Sequence, residues 1–199
     1  MILSLGCDDD AATSSSVSAG DGFPNQIGHR WTYLVSEYAG GPSDTVDVQV
    51  VSVGTSPLGE QARVWHATYR NWVDTADAPL VDTMWVVEAG DTVKVYRSRP
   101  PRVMSFIMPL EVDNSWTTSG FSDTTTVVGT VSQVSYPGGL LQNGFRLDRQ
   151  WQEEGVGSES STLIVVPDVG IVVMNLNAVS VVEPTGANLN QWRILSFSL

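Results

Sequence analysis

An apolar period of two constrains this chain more than any other feature. From Val46 to Val50 the valines alternate with Asp47 and Gln49, so an extended backbone there has one apolar and one polar face. Val93-Lys94-Val95-Tyr96 alternates in the same way. Val, Thr, Trp and Tyr, which suit a pleated surface, are abundant, and no stretch of ten residues carries the 3.6 period of an amphipathic helix. Chain breakers recur at Gly40-Gly41-Pro42, Ser56-Pro57, Gly90-Asp91, Pro137-Gly138-Gly139, Gly155, Pro167-Asp168 and Pro184. That punctuation belongs to antiparallel hairpins. The sequence therefore predicts an all-β chain of antiparallel meanders with no substantial helix.

The pattern occurs twice. Phe23-Pro24-Asn25-Gln26-Ile27-Gly28-His29-Arg30-Trp31-Thr32 aligns with Met108-Pro109-Leu110-Glu111-Val112-Asp113-Asn114-Ser115-Trp116-Thr117, with Pro, a β-branched residue, Trp and Thr at identical spacing. After each block come a Thr/Val-rich strand (46–53; 127–134), an amphipathic strand (62–69; 144–151) and an apolar hairpin (84–87 with 93–96; 163–166 with 171–174). Self-similarity of this kind marks internal repeats. The expected units are residues 23–103 and 104–199. One such meander leaves an apolar face open, so the two units should pack as one sandwich or barrel. The segment Trp192-Arg193-Ile194-Leu195-Ser196-Phe197 should complete the sheet at an edge. Trp31 and Trp116 should be equivalent and largely buried, and Trp72 should lie at a loop edge.

The first residues read as an address. Met1-Ile2-Leu3-Ser4-Leu5-Gly6-Cys7 resembles the tail of a bacterial lipoprotein signal peptide, in which a small residue precedes the cysteine that takes the lipid. Ser4 departs from the leucine preferred three residues before that cysteine. The resemblance implies a residual signal peptide at 1–6 and lipid attachment at Cys7. Residues 8–22 follow as Asp8-Asp9-Asp10 and a run of Ala, Ser, Thr and Gly, too poor in apolar surface to fold and suited to a flexible tether. The implied location is extracytoplasmic, on the periplasmic side or at the cell surface of a bacterial membrane. Cys7 is the only cysteine, so no intramolecular disulfide forms.

Three further short motifs resemble a group of uncharacterised bacterial lipoproteins. These begin with Pro-x-x-Val-Gly-Asn-x-Trp-x-Tyr, carry a Pro-Gly-Val-Gly hairpin, and end on a strand like Tyr-x-Leu-x-Ser-Tyr. Here Pro24, Ile27, Gly28, Trp31 and Tyr33 match the first, Pro167, Val169, Gly170, Ile171 and Val172 the second, and Trp192, Leu195, Ser196 and Phe197 the third. His29, Asp168 and Val173 depart from it. The resemblance implies an extracytoplasmic β-rich fold and brings no activity.

No motif for chemistry stands out. A net charge of −12 disfavours nucleic acid and anionic lipid headgroups as partners. Arg97, Arg99 and Arg102 cluster around Pro100-Pro101; solvated loop charge is the expected reading and an anion site the alternative. His29 and His66 have no metal-ligating neighbours at i+2 or i+4, so neither metal nor cofactor is expected. Glu153-Glu154 precede Gly155 in an expected hairpin loop, where adjacent carboxylates do not share a substrate. No Asp-x-Asp-x-Asp-Gly calcium loop and no Gly-x-Ser-x-Gly elbow occur. Trp65 and Tyr69 share a strand face, opposite His66, Arg70 and Trp72, and read as a core stripe, with stacking on a glycan or peptide as the alternative. The sequence thus predicts a non-enzymatic, membrane-anchored binding or structural module of the cell envelope, its protein or glycan partner unspecified. A curved sheet carrying an apolar ligand and an unrecognised hydrolase are the alternatives.

Overall fold

The computed structural model describes residues 22–36, 43–73, 79–98, 101–118, 123–153, 157–180 and 191–199, and no helix occurs among them. Twelve strands follow in order: β1 (Arg30–Ser36), β2 (Ser43–Thr55), β3 (Gln61–Val73), β4 (Pro79–Ala89), β5 (Thr92–Ser98), β6 (Pro101–Ile107), β7 (Ser115–Thr118), β8 (Asp123–Tyr136), β9 (Gly139–Glu153), β10 (Gly157–Val166), β11 (Gly170–Ser180) and β12 (Gln191–Ser198). All pair antiparallel in one sheet of order β6-β5-β4-β3-β2-β1-β12-β11-β10-β9-β8-β7. The sheet curls into a nearly closed barrel. Closure gathers the apolar faces of all strands into one interior, which is what a period-two sequence with one apolar face requires.

Two findings correct the expected strand plan. The C-terminal strand is not an edge: β12 lies between β1 and β11, with Trp31 opposite Phe197 and Met174 opposite Trp192. It welds the beginning of the chain to its end. Pro101–Ile107, which begins in the cluster read as loop charge, forms β6, which straddles the expected division at 103/104. Its apolar phase is carried by Met104 and Phe106 and is masked in the sequence by Pro100, Pro101 and Arg102. β1–β6 and β7–β12 are thus two successive six-stranded meanders.

Their opening turns share one geometry. Gly28 donates its N–H to Val50 O (2.9 Å), His29 to Gln26 O (3.1 Å), and Val50 donates back to His29 O (3.0 Å). Asp113 donates to Val127 O (2.8 Å), Asn114 to Glu111 O (3.2 Å), and Val127 donates back to Asn114 O (2.9 Å). Gly28 has φ of 100° and Asp113 φ of 70°, the left-handed region that glycine enters freely and aspartate tolerates.

The two meanders meet at two seams. The β1–β12 seam is a ladder of seven residue pairs with one register shift. The β6–β7 seam has no backbone ladder among the described residues. Side chains close it instead: Trp116 Nε1 donates to Ser105 O (2.9 Å), and the Ser105 and Thr118 hydroxyls lie 2.6 Å apart. Trp31 is 2% exposed, as expected, while Trp116 is only half-buried because it stands at this seam.

One end of the barrel, where the β2–β3, β4–β5, β8–β9 and β10–β11 turns lie, is plugged. Phe23 stacks on Trp65 and Phe106 (ring centroids 5.9 and 5.5 Å), and Trp31 stacks on Trp65 at 4.7 Å. Their polar edges are satisfied: Trp31 Nε1 donates to Val169 O and Trp65 Nε1 to Asn25 Oδ1, both at 2.7 Å. The long β8–β9 hairpin extends past this end, with Val134 buried against the core and Tyr136 against Phe197 (5.7 Å).

Candidate ligand-binding lumen

Beyond the plug the lumen is incompletely filled. A cavity of about 100 Å³ opens toward the other end of the barrel. Apolar side chains form most of its wall, notably Tyr33, Tyr69, Met84, Met104, Met174 and Trp192. Three methionines give a wall that can re-pack around differing shapes, since the thioether chain is flexible and polarizable. The aromatic side is more rigid: Trp192 meets Tyr33 and Tyr69 edge-on at 5.6 and 6.3 Å. Tyr33 Oη donates to Ile171 O at 2.8 Å, and burial raises its ionisation well above the usual phenol range.

Polar groups concentrate in the strand halves away from the plug. Arg97, near the end of β5, lines the cavity; its Nη2 lies 3.4 Å from Asp82 Oδ2, a loose contact for a guanidinium–carboxylate pair. Burial pushes the Tyr69 hydroxyl up to about 12, with the nearby Arg97 charge acting in the opposite direction. Trp192 Nε1 is buried and has no acceptor among the described residues. An unsatisfied buried donor costs about 1–3 kcal/mol, so this wall offers an unused hydrogen bond to whatever occupies the lumen.

Arg149 and Glu159 also reach the cavity, but their charges are tied up. Arg149 Nε lies 2.8 Å from Asp123 Oδ1 and 2.9 Å from Oδ2, and Nη1 donates to Glu159 Oε1. The three residues are 4%, 0% and 6% exposed, so this is a buried triad rather than a surface pair. Sequence reasoning missed it. The signal was phase: Arg149 falls in register with Leu147 and Trp151, and Glu159 with Ser161, Leu163 and Val165, all inward positions.

The expected candidates scatter. Trp65 and Tyr69 face the lumen with Ala67, so the core reading holds and they also line the site. Trp72 is the penultimate residue of β3, which runs to Val73; its side chain lies outside the described residues. Of the three arginines, Arg97 is a lumen residue and not solvated loop charge. Arg102 is its Cα partner across β5–β6, and Arg99 lies outside the described residues. His29 sits in the first turn with Gln26 N donating to its Nδ1 (3.4 Å), and burial lowers its pKa; His66 is half-buried on β3. Glu153 ends β9, and Glu154 and Cys7 lie outside the described residues. Among the described residues no group of three His, Cys, Asp or Glu side chains could hold a metal ion, and no helix is long and apolar enough to cross a membrane.

No protein-family pattern matches the chain, and no curated protein matches it. Its architecture is shared with two solved structures. One is a candidate exported protein of Bacteroides fragilis with a YmcC-like fold: TM-score 0.53, 14% identity, covering 89% of this chain and 98% of that one. The other is a candidate lipoprotein of Parabacteroides distasonis: TM-score 0.51, 11% identity, covering 88% of this chain and 97% of that one. The barrel is therefore a YmcC-like fold spanning nearly the full length of both neighbours.

Proposed function

We propose that this protein is a lipid-anchored, extracytoplasmic binding module of the bacterial envelope, made of two copies of one six-stranded unit, that holds a small ligand in its lumen. The observation that carries the reading is the cavity of about 100 Å³ inside the barrel, walled by aromatic rings and three methionines. Pockets that bind small molecules combine such apolar walls with a few placed polar groups. The anchor rests on the Gly6-Cys7 junction and the small, polar segment behind it, and it accords with the two neighbours, a candidate exported protein and a candidate lipoprotein. The role is binding rather than catalysis: three buried charges of the lumen are spent on one another in the Asp123–Arg149–Glu159 triad.

Octanol, a neutral alcohol with a single alkyl chain, tests the site by titration calorimetry. It should bind the protein, and Met104→Trp, which fills the cavity from β6, should abolish binding while leaving the far-ultraviolet circular dichroism unchanged. Equal octanol binding by the filled variant would remove the lumen from consideration. For the anchor, Cys7→Ser should shift the protein from the membrane to the soluble fraction without unfolding it. Absence of label from a lipid precursor on the wild-type protein would sink lipidation.

A further inference from the structure

The polar groups of the lumen are unevenly satisfied. Arg149 is saturated by two carboxylates. Arg97 is not: its only hydrogen bond among the described residues is the 3.4 Å contact to Asp82, which leaves most of its five N–H donors unused. Trp192 Nε1 is a second unused donor on the same cavity. Tyr69 links the two, its ring 6.3 Å from that of Trp192 and its hydroxyl within electrostatic reach of Arg97.

We infer that the ligand is an amphiphilic anion: a short apolar chain ending in a single acidic head, carboxylate or phosphate, with the head on Arg97 and the chain among Met84, Met104 and Met174. The inference rests on the lumen being the binding site. A guanidinium presents parallel donors that match two oxygens of such a head, and the charge-assisted pair is stronger than a neutral hydrogen bond. Cavity size sets the chain length. An apolar cavity of about 150 Å³ holds one benzene ring, so about 100 Å³ takes the end of a short chain and not a diacyl lipid. The acidic surface of the protein acts against a broad search for anions, so recognition is local, at Arg97.

Four eight-carbon probes separate the possibilities on the full chain: octanoate, octyl phosphate, octanol and octyltrimethylammonium. They are read by titration calorimetry. The two anions should bind at least roughly tenfold more tightly than octanol, as a charge-assisted pair demands, and the cation should bind most weakly. Octanoate against octyl phosphate then tells which acid fits better. Arg97→Gln should reduce anion affinity to the octanol level, and Arg97→Lys should recover part of the loss. Trp192→Phe, which keeps an aromatic ring and removes the N–H donor, should weaken both anions more than it weakens octanol. If octanol or the cation binds as tightly as octanoate, or Arg97→Gln is without effect, the anionic class is wrong while the lumen stands. If all four probes fail to bind, both fall together.

Discussion

The two seams of the barrel occupy corresponding places, one at the start of each meander, yet they are built differently. At β1–β12 the chain's two ends are joined by seven residue pairs, and the tryptophan beside the seam, Trp31, is sealed in the core. At β6–β7 the closure is a few side-chain contacts, and Trp116 stands half-exposed over it. The difference follows from connectivity and length. β12 is eight residues long and is drawn against both β1 and β11, whereas β7 has only four residues. An almost closed barrel therefore has one permanent seam and one that depends on three side chains. Met104, which lines the cavity, lies on β6 beside the weaker one.

Four measurements break or sharpen this contrast. The largest effect belongs to Trp31→Ala, which removes a fully packed indole and its bond to Val169 O; it should cost about 3–5 kcal/mol, a large share of the roughly 5–15 kcal/mol of a typical domain. Urea denaturation measures it, and a cost below that of Trp116→Ala would reverse the ranking of the seams. The next test locks the weak seam. In a Cys7→Ser background, Ser105→Cys with Thr118→Cys replaces hydroxyls 2.6 Å apart and 13 residues apart in sequence. Oxidation should stabilise by roughly 3 kcal/mol by the loop-closure account; no gain over the reduced protein would mean that the seam is already rigid. Trp116→Ala should cost about 2 kcal/mol, since a half-buried ring gives up less area and one hydrogen bond.

The smallest effect concerns an outer cluster found only on the first meander. Glu60 accepts from Lys94 Nζ (2.8 Å) and Tyr96 Oη, and these bonds hold its carboxyl below the usual carboxylate range. A lowered folded-state value means the stabilisation is present above the unfolded value, near 4.3, and is lost as the pH falls through the folded one. Glu60→Gln should therefore cost under about 1 kcal/mol at pH 7, as for a partly exposed pair, and nothing in acid. A gap between the two proteins that persists in acid would contradict the ionic origin.

Fold class was legible because period-two alternation and turn residues are local signals, and Val46, Val48 and Val50 do point into one core. Barrel against sandwich was not, because closure depends on pairing between residues far apart, such as Trp31 with Phe197. β6 escaped notice because two prolines and two arginines obscure a strand only seven residues long. The site was half visible. The cluster containing Arg97 was apparent in the sequence, but that this arginine points inward follows from β5 turning Val93, Val95 and Arg97 to the same side. Arg149 and Glu159 would have been found by asking which charges fall in phase with neighbouring core residues.

The paired turns at Gly28 and Asp113 carry a lesson about inheritance of form. They share a hydrogen-bonding scheme and a positive φ while sharing no residue at that position. What is common to them is a torsion angle, and the alphabet can write that angle as glycine or as aspartate. An identity score counts the two letters as a mismatch, although the bend they encode is the same. The neighbours with this architecture stand at 14% and 11% identity. Relatives of such a chain are better sought by the order of its bends and the phase of its strands than by its spelling.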